Sequence, residues 1–400
     1  MGTGPFPGWR GWLVVAVLAG LWAARSVAPA GLRGPKAPLR IEWRLGPDYP
    51  MGIQDSALGV VDGQVVSAGG FTRRPKDILA THPDAFGGKR SGFTKLTFAF
   101  DPRNESAGWQ RIADMPGQAR QGPAVAAVDD ALYLMGGMSY DPPHTYRETY
   151  RLRHEQGKWE WQEITSARLP WPVYGAAGST AVIGRSIYLF GVADFFPAPG
   201  AKGPDFHVEG REGNPVGRAL LVLDTSHLDA GWQRLPDCPG LAQFDAGVAA
   251  AGGKLYRLGG IHTPVTLGKD RAGYYNAVDS WRYDPAARVW SRLADMPQGA
   301  NRRALTYSDR YILLVAGYKY GQTWHLDGTV SNADPPKDVF EDTVLVYDAV
   351  TGQLSSTNSL IERTSYPSSA IVGNTIYCLG GEGGPRLWHP ATFHIGKIAD

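Results

Sequence analysis

The chain has 400 residues, of which 43% are hydrophobic and 20% charged, with a formal net charge of +2. That is enough apolar side chain for a large core and too little net charge to draw nucleic acid electrostatically. It excludes a disordered tail and, with only two cysteines, a small disulfide scaffold. The 51 Gly and 30 Pro interrupt long helices while 13 Trp and 18 Tyr supply bulk for short strands, so the composition predicts an all-β protein held by packing.

At the start, Arg10 precedes an apolar run from Trp12 to Ala24, followed by the small-x-small site Ala28-Pro29-Ala30. Residues 1–30 therefore read as a secretory signal peptide. The run is shorter than the ~20 residues a membrane-spanning helix needs, so an uncleaved membrane anchor is the alternative and no stable span is expected after cleavage. Residues 31–39 form a Pro/Gly-rich linker. The expected folded domain is 40–400, in a secreted or periplasmic protein.

The rest of the chain is organised by a repeat. Ala68-Gly69-Gly70 returns as Met135-Gly136-Gly137, Leu258-Gly259-Gly260 and Leu379-Gly380-Gly381, with degenerate copies at Phe190-Gly191-Val192 and Ala316-Gly317-Tyr318. Taking the last position of each, the spacings are 67, 55, 68, 58 and 63 residues. Each copy reads as a small-residue strand, a second strand ending in glycines, a variable loop, a third strand and a fourth strand with Trp. Trp109, Trp159 or Trp161, Trp232 and Trp290 mark fourth strands, and Asp101, Asp224, Asp284 and Asp348 end third strands. Bulky side chains suit radially packed sheets, and glycine suits a tight turn with close backbone approach.

These copies resemble the kelch repeat, which implies a six-bladed β-propeller. The last copy ends at 392–398 without a fourth strand, while residues 40–45 form a fourth-strand phrase with nothing before it. The N-terminal strand is therefore expected to complete the last blade and leave no unpaired seam.

In a propeller, the connections between blades and those between second and third strands share one face. Polar residues there that could converge on the channel mouth include Asp55, Arg120, Tyr174, Asp245, Arg302, Arg303, Arg363 and Tyr366. As a ring they suggest a site for an anionic or hydroxylated ligand; individually, each could equally cap a strand end. Within-blade loops add Glu209, Arg211, His262, Lys319 and the phrase 380–386, which holds Glu382 and Arg386.

A Gly-Glu…Arg loop after a second strand, a secretory signal and the blade opening Val173-Tyr174-Gly175-Ala176 together resemble the bacterial sialic acid (N-acetylneuraminate) mutarotases. The resemblance implies that a Glu and an Arg work as a pair, falling here on Glu382 and Arg386. In that family the pair stands in a middle blade at wider spacing. Mutarotation needs one proton taken and one given, and an arginine to hold the sugar carboxylate. No metal or cofactor is called for. The cysteines do not fit a copper centre, and Gly321-Gln322-Thr323-Trp324 matches only the tail of a sialidase box.

Three readings stay open: a binder of carbohydrate or protein on the loop face, a sugar mutarotase, and a structural scaffold. An enclosed mouth with Glu382, Arg386 and facing arginines favours the enzyme; an open aromatic-rich face favours a binder.

Overall fold

The computed structural model describes residues 37–72, 78–83, 86, 92–176, 178–263, 273–297, 301–383 and 389–399. The signal-peptide reading of 1–30 and the candidate Arg386 lie outside the described residues.

The chain opens with β1 (Arg40–Leu45). Blade one is β2 (Ala57–Val61), β3 (Gln64–Ala68), β4 (Thr97–Phe100) and β5 (Trp109–Arg111), and blade two is β6 (Ala124–Val128), β7 (Ala131–Met135), β8 (Thr149–Glu155) and β9 (Lys158–Glu163). Blade three is β10 (Thr180–Ile183), β11 (Ser186–Leu189), β14 (Leu220–Asp224) and β15 (Gln233–Leu235), with a separate hairpin, β12 (Asp194–Phe196) and β13 (Asp205–His207), inserted before β14. Blade four is β16 (Gly247–Ala251), β17 (Lys254–His262), β18 (Tyr275–Asp284) and β19 (Val289–Arg292). Blade five is β20 (Asn301–Tyr307), β21 (Tyr311–Lys319), β24 (Val339–Asp348) and β25 (Leu354–Ser356). Its inserted hairpin, β22 (Gln322–Trp324) and β23 (Val330–Asn332), adds to blade four through a parallel pairing of β22 with β18. Blade six is β26 (Ser368–Val372), β27 (Thr375–Leu379) and β28 (Phe393–Ala399), and β1 is its outer strand.

The expected closure is therefore observed: β1 runs antiparallel to β28 with Ile41 opposite Ile398 and Leu45 opposite His394. The protein is a six-bladed all-β propeller.

Each recurring residue type has a mechanical reason. In the four blades whose third strand ends in Asp, the carboxylate accepts from the N–H two residues on, as Asp224 does from Ser226 at 2.8 Å and Asp348 from Val350 at 2.9 Å. That Asx turn leads the chain into the fourth strand. The tryptophans join neighbouring blades: the indole N–H of Trp161 donates to Ala113 O, Trp232 to Ala167 O and Trp290 to Pro236 O, each carbonyl lying just past the preceding blade's fourth strand. Trp43 of β1 makes the same bond to Asn358 O at 3.2 Å, so β1 takes on the fourth-strand role as well as its register.

The glycine pairs work at the opposite end of the blades. Gly70 N–H donates to Arg120 O of blade two, Gly137 to Val173 O of blade three, and Gly381 to Ile53 O of blade one, at 2.8–2.9 Å. The first glycine of each pair has φ of 61–65° at Gly69, Gly136 and Gly380. A Cβ there would come within 2.9, 2.4 and 2.1 Å of those same carbonyls, so glycine is required both for the backbone angle and for the approach.

Two measurements check the closure. Ile41 is 1% exposed in a cluster shared with Leu313, Val315, Val344 and Ile398. Ile41→Ala should cost about 2–4 kcal/mol, and a chain beginning at residue 47 should melt well below one beginning at 37; equal melting curves would refute the role given to β1. His394, opposite Leu45, is 1% exposed. Its Nε2 accepts from Glu362 N–H at 3.1 Å and its ring meets Trp43 edge-on. Burial pushes its pKa down to about 4, with Glu362 acting weakly the other way. The unfolded chain thus takes up this proton first, so stability is full above the ordinary histidine pKa near 6.5 and declines as pH falls from there toward 4. His394→Gln, which retains an acceptor, should flatten that part of the stability–pH curve measured by urea denaturation.

Candidate functional site

The residue that leads into each inner strand decides what faces the axis. Asp55, Asp245 and Tyr366 each follow a residue bridged to the end of the blade's own second strand or to the loop just past it, Gln54 to Phe71, Phe244 to Ile261 and Ser365 to Glu382, and all three hold positive φ, at 49°, 51° and 48°. Non-glycine residues adopt this region at a cost, and such outliers cluster at functional sites.

The centre of the mouth is Arg303. Its Nη2 donates to Asp55 Oδ1 at 3.0 Å and its Nη1 to Asp245 Oδ1 at 3.5 Å. Tyr174 OH donates to Asp55 Oδ2 at 3.0 Å, Gln121 Nε2 reaches the same oxygen at 3.4 Å, and the guanidinium lies 5.8 Å from the Tyr366 ring centroid. Blades one, two, three, four, five and six all contribute to this cluster. Asp55, Asp245, Tyr174 and Arg303 are each buried, with 2%, 7%, 5% and 7% exposure.

Burial raises both carboxyls despite the arginine: Asp55 moves up from its ordinary value, and Asp245 is pushed up to about 7 by burial, opposed by Arg303 and assisted by Asp55 and Glu382. Burial works against the Arg303 charge, but the two aspartates hold it firmly protonated. Burial and Asp55 push the Tyr174 hydroxyl far up. A carboxyl half-protonated near neutral pH can give or take a proton there.

Glu382 is half-buried and bridged to Ser365 by two backbone hydrogen bonds. Its charge is felt by Asp245, Tyr318 and Tyr366, which puts it at the same mouth.

Other candidates are placed differently. Arg302 is buried inside blade five, bonded to Glu341, Thr343 and Ala316 O. Arg120 occupies the matching place in blade two, bonded to Gly136 O and Glu148 and lying over Tyr146. Both guanidiniums are committed to the framework beneath a glycine turn, so the expected substrate contact from Arg302 or Arg120 is replaced by a structural one. Arg363 is exposed and pairs with Asp342 at 3.3 Å. Of the two arginines in Asn301-Arg302-Arg303, only the second reaches the axis, because neighbours in a strand point to opposite sides.

Sequence reasoning missed the most extensive feature of this face. Rings touch one another from His389 through Phe71, Phe93, Tyr140, Phe195, Phe206, Phe244, Tyr274, Tyr320 and Tyr318 to Tyr366, at centroid distances of 4.7–6.5 Å. This belt begins and ends in blade six and visits every other blade. Phe206–Phe244 and Tyr274–Tyr320 are stacked. The signal was the aromatic enrichment of otherwise irregular loops.

Blade three adds a pinned loop. Arg211 makes two bonds to the buried Asp194, at 2.8 and 2.9 Å, beside the Phe196 ring. This holds exposed Glu212, with φ of 60°, and Arg218, which pairs with Glu209 at 3.4 Å. Among the described residues no group of acidic, histidine or cysteine side chains could hold a metal ion.

Removing the central cation while leaving its partners should be severe. Arg303→Met should cost about 3–5 kcal/mol by leaving two buried carboxyls without their counter-charge, and adding Asp55→Asn and Asp245→Asn should recover much of that loss in denaturant melts.

No family model matches the chain. Kelch-like protein 15 of Danio rerio is 24% identical over 306 residues, covering 76% of this chain and 44% of that protein, so the chain spans under half the length of this relative. N-acetylneuraminate epimerase of Yersinia enterocolitica is 35% identical over 107 residues, 26% of each chain. The protein of the same name from Yersinia pestis is 29% identical over 196 residues, 43% of this chain and 48% of that one. The solved structure of YjhT superposes with a TM-score of 0.61 at 13% identity, covering 89% of this chain and all of the other; at that identity the likeness concerns the fold.

Proposed function

We propose that this kelch-type propeller binds the ring of a sugar on its loop face. The observation that carries this reading is the partly exposed part of the aromatic belt around the Asp55–Arg303–Asp245 centre, Phe71, Tyr140, Phe206, Tyr274, Tyr318 and Tyr320, seated on the buried rings of Phe93, Phe195 and Phe244. Aromatic faces pack against the apolar C–H faces of a sugar, while the central carboxyls and Tyr174 match hydroxyl donors and acceptors. The expected signal at 1–30 would put this activity in a secreted or periplasmic setting.

A second reading, exchange of sugar anomers, is favoured by Asp245 and by the N-acetylneuraminate epimerases among the relatives. Opening the ring breaks the bond between the anomeric carbon and the ring oxygen. Glu382 would take the anomeric hydroxyl proton as Asp245 gives one to the ring oxygen, leaving an open-chain carbonyl. Rotation and the reverse transfers form the other anomer, so protons balance and nothing is oxidised. Arg386 would hold a substrate carboxylate. Blade three, a middle blade, offers the wider-spaced pair Glu212 and Arg218, and that pair is the competing assignment for the same roles.

Calorimetry with N-acetylneuraminate and neutral N-acetylated sugars tests binding. Phe206→Ala and Tyr320→Ala should each weaken it by about 1–2 kcal/mol; no binding by the intact protein would reject the reading. NMR of N-acetylneuraminate anomers tests exchange. Glu382→Gln should slow it about 10²–10⁴-fold with binding retained, and Arg386→Ala should weaken binding itself. Loss of exchange in Glu212→Gln instead would move catalysis to blade three. If Asp245 is the acid, the rate falls as pH rises through 7; a rate flat from pH 6 to 8 would remove it from the mechanism.

A further inference from the structure

Blade four carries a second cluster that the mouth does not use. His262 closes β17 directly opposite Tyr275 of β18, and the parallel pairing of β22 with β18 sets Trp324 opposite Ala277. The hairpin that blade five lends to its neighbour therefore brings an indole to the imidazole. The ring centroids of His262 and Trp324 are 5.3 Å apart, and Tyr275 meets the same indole edge-on at 5.2 Å. All three residues are half-buried.

Two polar atoms of this cluster are left over from the fold. His262 Nδ1 lies 2.8 Å from Ala242 O. A carbonyl oxygen only accepts, so that nitrogen carries the ring proton, and Nε2 of the neutral ring presents a lone pair. Burial holds the imidazole pKa below its ordinary value, so the neutral form prevails at pH 7. The indole N–H groups of Trp43, Trp109, Trp161, Trp232 and Trp290 all donate to backbone carbonyls. Among the described residues the Trp324 N–H has no acceptor and His262 Nε2 no donor. Neither atom is sealed from solvent, so a ligand can reach both.

The charges around them cancel. Glu209 and Arg218 of blade three act on the imidazole in opposite senses and pair with each other at 3.4 Å. Asp279, the other carboxylate that bears on it, is held by the buried Arg257 at 3.0 Å. A ligand with a net charge gains little there.

We infer that His262, Trp324 and Tyr275 form an outer binding site for a neutral sugar ring, one of two vicinal hydroxyls donating to His262 Nε2 and its neighbour accepting from the Trp324 N–H. The aromatic rings offer a surface to the C–H face of the sugar. A hydroxyl pair both donates and accepts, whereas a purely apolar ligand would strip water from the two nitrogens and replace it with nothing. The imidazole is already fixed by Ala242 O and the indole by the β22–β18 pairing, so little side-chain freedom is lost on binding. This site does not depend on what the mouth binds.

The probe is methyl β-galactopyranoside, whose blocked anomeric centre excludes ring opening, followed in ¹H–¹⁵N spectra of the full chain with the Trp324 indole signal assigned from Trp324→Phe. That signal should shift saturably, and excess N-acetylneuraminate should leave the shift in place. Trp324→Phe keeps a ring without the N–H, and His262→Asn can still donate to Ala242 O but lacks Nε2. Each should weaken binding about three- to tenfold in a saturation-transfer titration. No saturable shift, displacement by N-acetylneuraminate, or unchanged affinity in both variants would overturn the proposal. Should the variants fold poorly, hydrogen exchange on the wild-type chain decides: the glycoside should slow exchange in β22 and at the end of β17. Absence of that protection, or protection confined to the segments around Asp55, Tyr174 and Arg303, would also overturn it.

Discussion

The approach of one backbone to another at the glycine pairs is the constraint on which the molecule depends. At Gly69, Gly136 and Gly380 the chain turns where the carbonyl leading into the next blade presses against it, and the following glycine N–H bonds to that carbonyl. The second glycine also lies against its own blade's lead-in, with Gly70 facing Gln54 O and Gly381 facing Ser365 O. Two lead-in segments are thereby fixed around one turn. The residue that comes next has little freedom, and in blades one, four and six it takes a left-handed backbone angle. Spacing that looks like fold maintenance thus also positions Asp55, Asp245 and Tyr366 at the axis.

The outer rim obeys a complementary rule. Indole N–H groups reach the carbonyls beyond the preceding fourth strand, so blades one, two and six are held to one neighbour at the hub by glycine and to another at the rim by tryptophan, and blades three and four at the rim by tryptophan. These are directional bonds at both ends of a radially packed sheet, whereas the apolar clusters between blades specify little about rotation. Blade five has neither a fourth-strand Trp nor a full glycine pair, since Ala316 stands at the first position. It instead donates the β22–β23 hairpin to blade four, where Asn276 Nδ2 bonds Tyr320 O and Gln322 O while Tyr320 N–H returns to Asn276 Oδ1. The short phrase Gly321-Gln322-Thr323-Trp324 belongs to this fastening.

The blade count and the closing strand were legible in the sequence because both depend on local, repeated requirements: glycine where φ is positive, Asp where an Asx turn follows, Trp on fourth strands. The centre was legible only in part. Asp55, Tyr174, Asp245, Arg303 and Tyr366 could be collected from the blade junctions, yet Arg302 and Arg120 satisfy the same pattern and turn into their blades to pair with Glu341 and Glu148. Nothing local distinguishes Arg302 from Arg303; the distinction comes from the side of the strand and from a carboxylate 39 residues away. The aromatic belt was less legible still, because its members come from loops of unrelated length and meet only once six blades are arranged in a ring.

The charge at the axis is shared among three blades. Asp55 and Asp245 come from blades one and four, and each reaches Arg303 of blade five from a different side of the ring. One guanidinium shared between two buried carboxyls leaves the trio near neutrality only while one carboxyl carries a proton, which is the direction in which burial drives both. A ligand hydroxyl arriving at the mouth would meet these three side chains together. Whichever aspartate accepts a bond from such a hydroxyl becomes easier to ionise, and its hold on Arg303 strengthens. Occupancy of the mouth would therefore change the proton affinity of the centre without any movement of the blades.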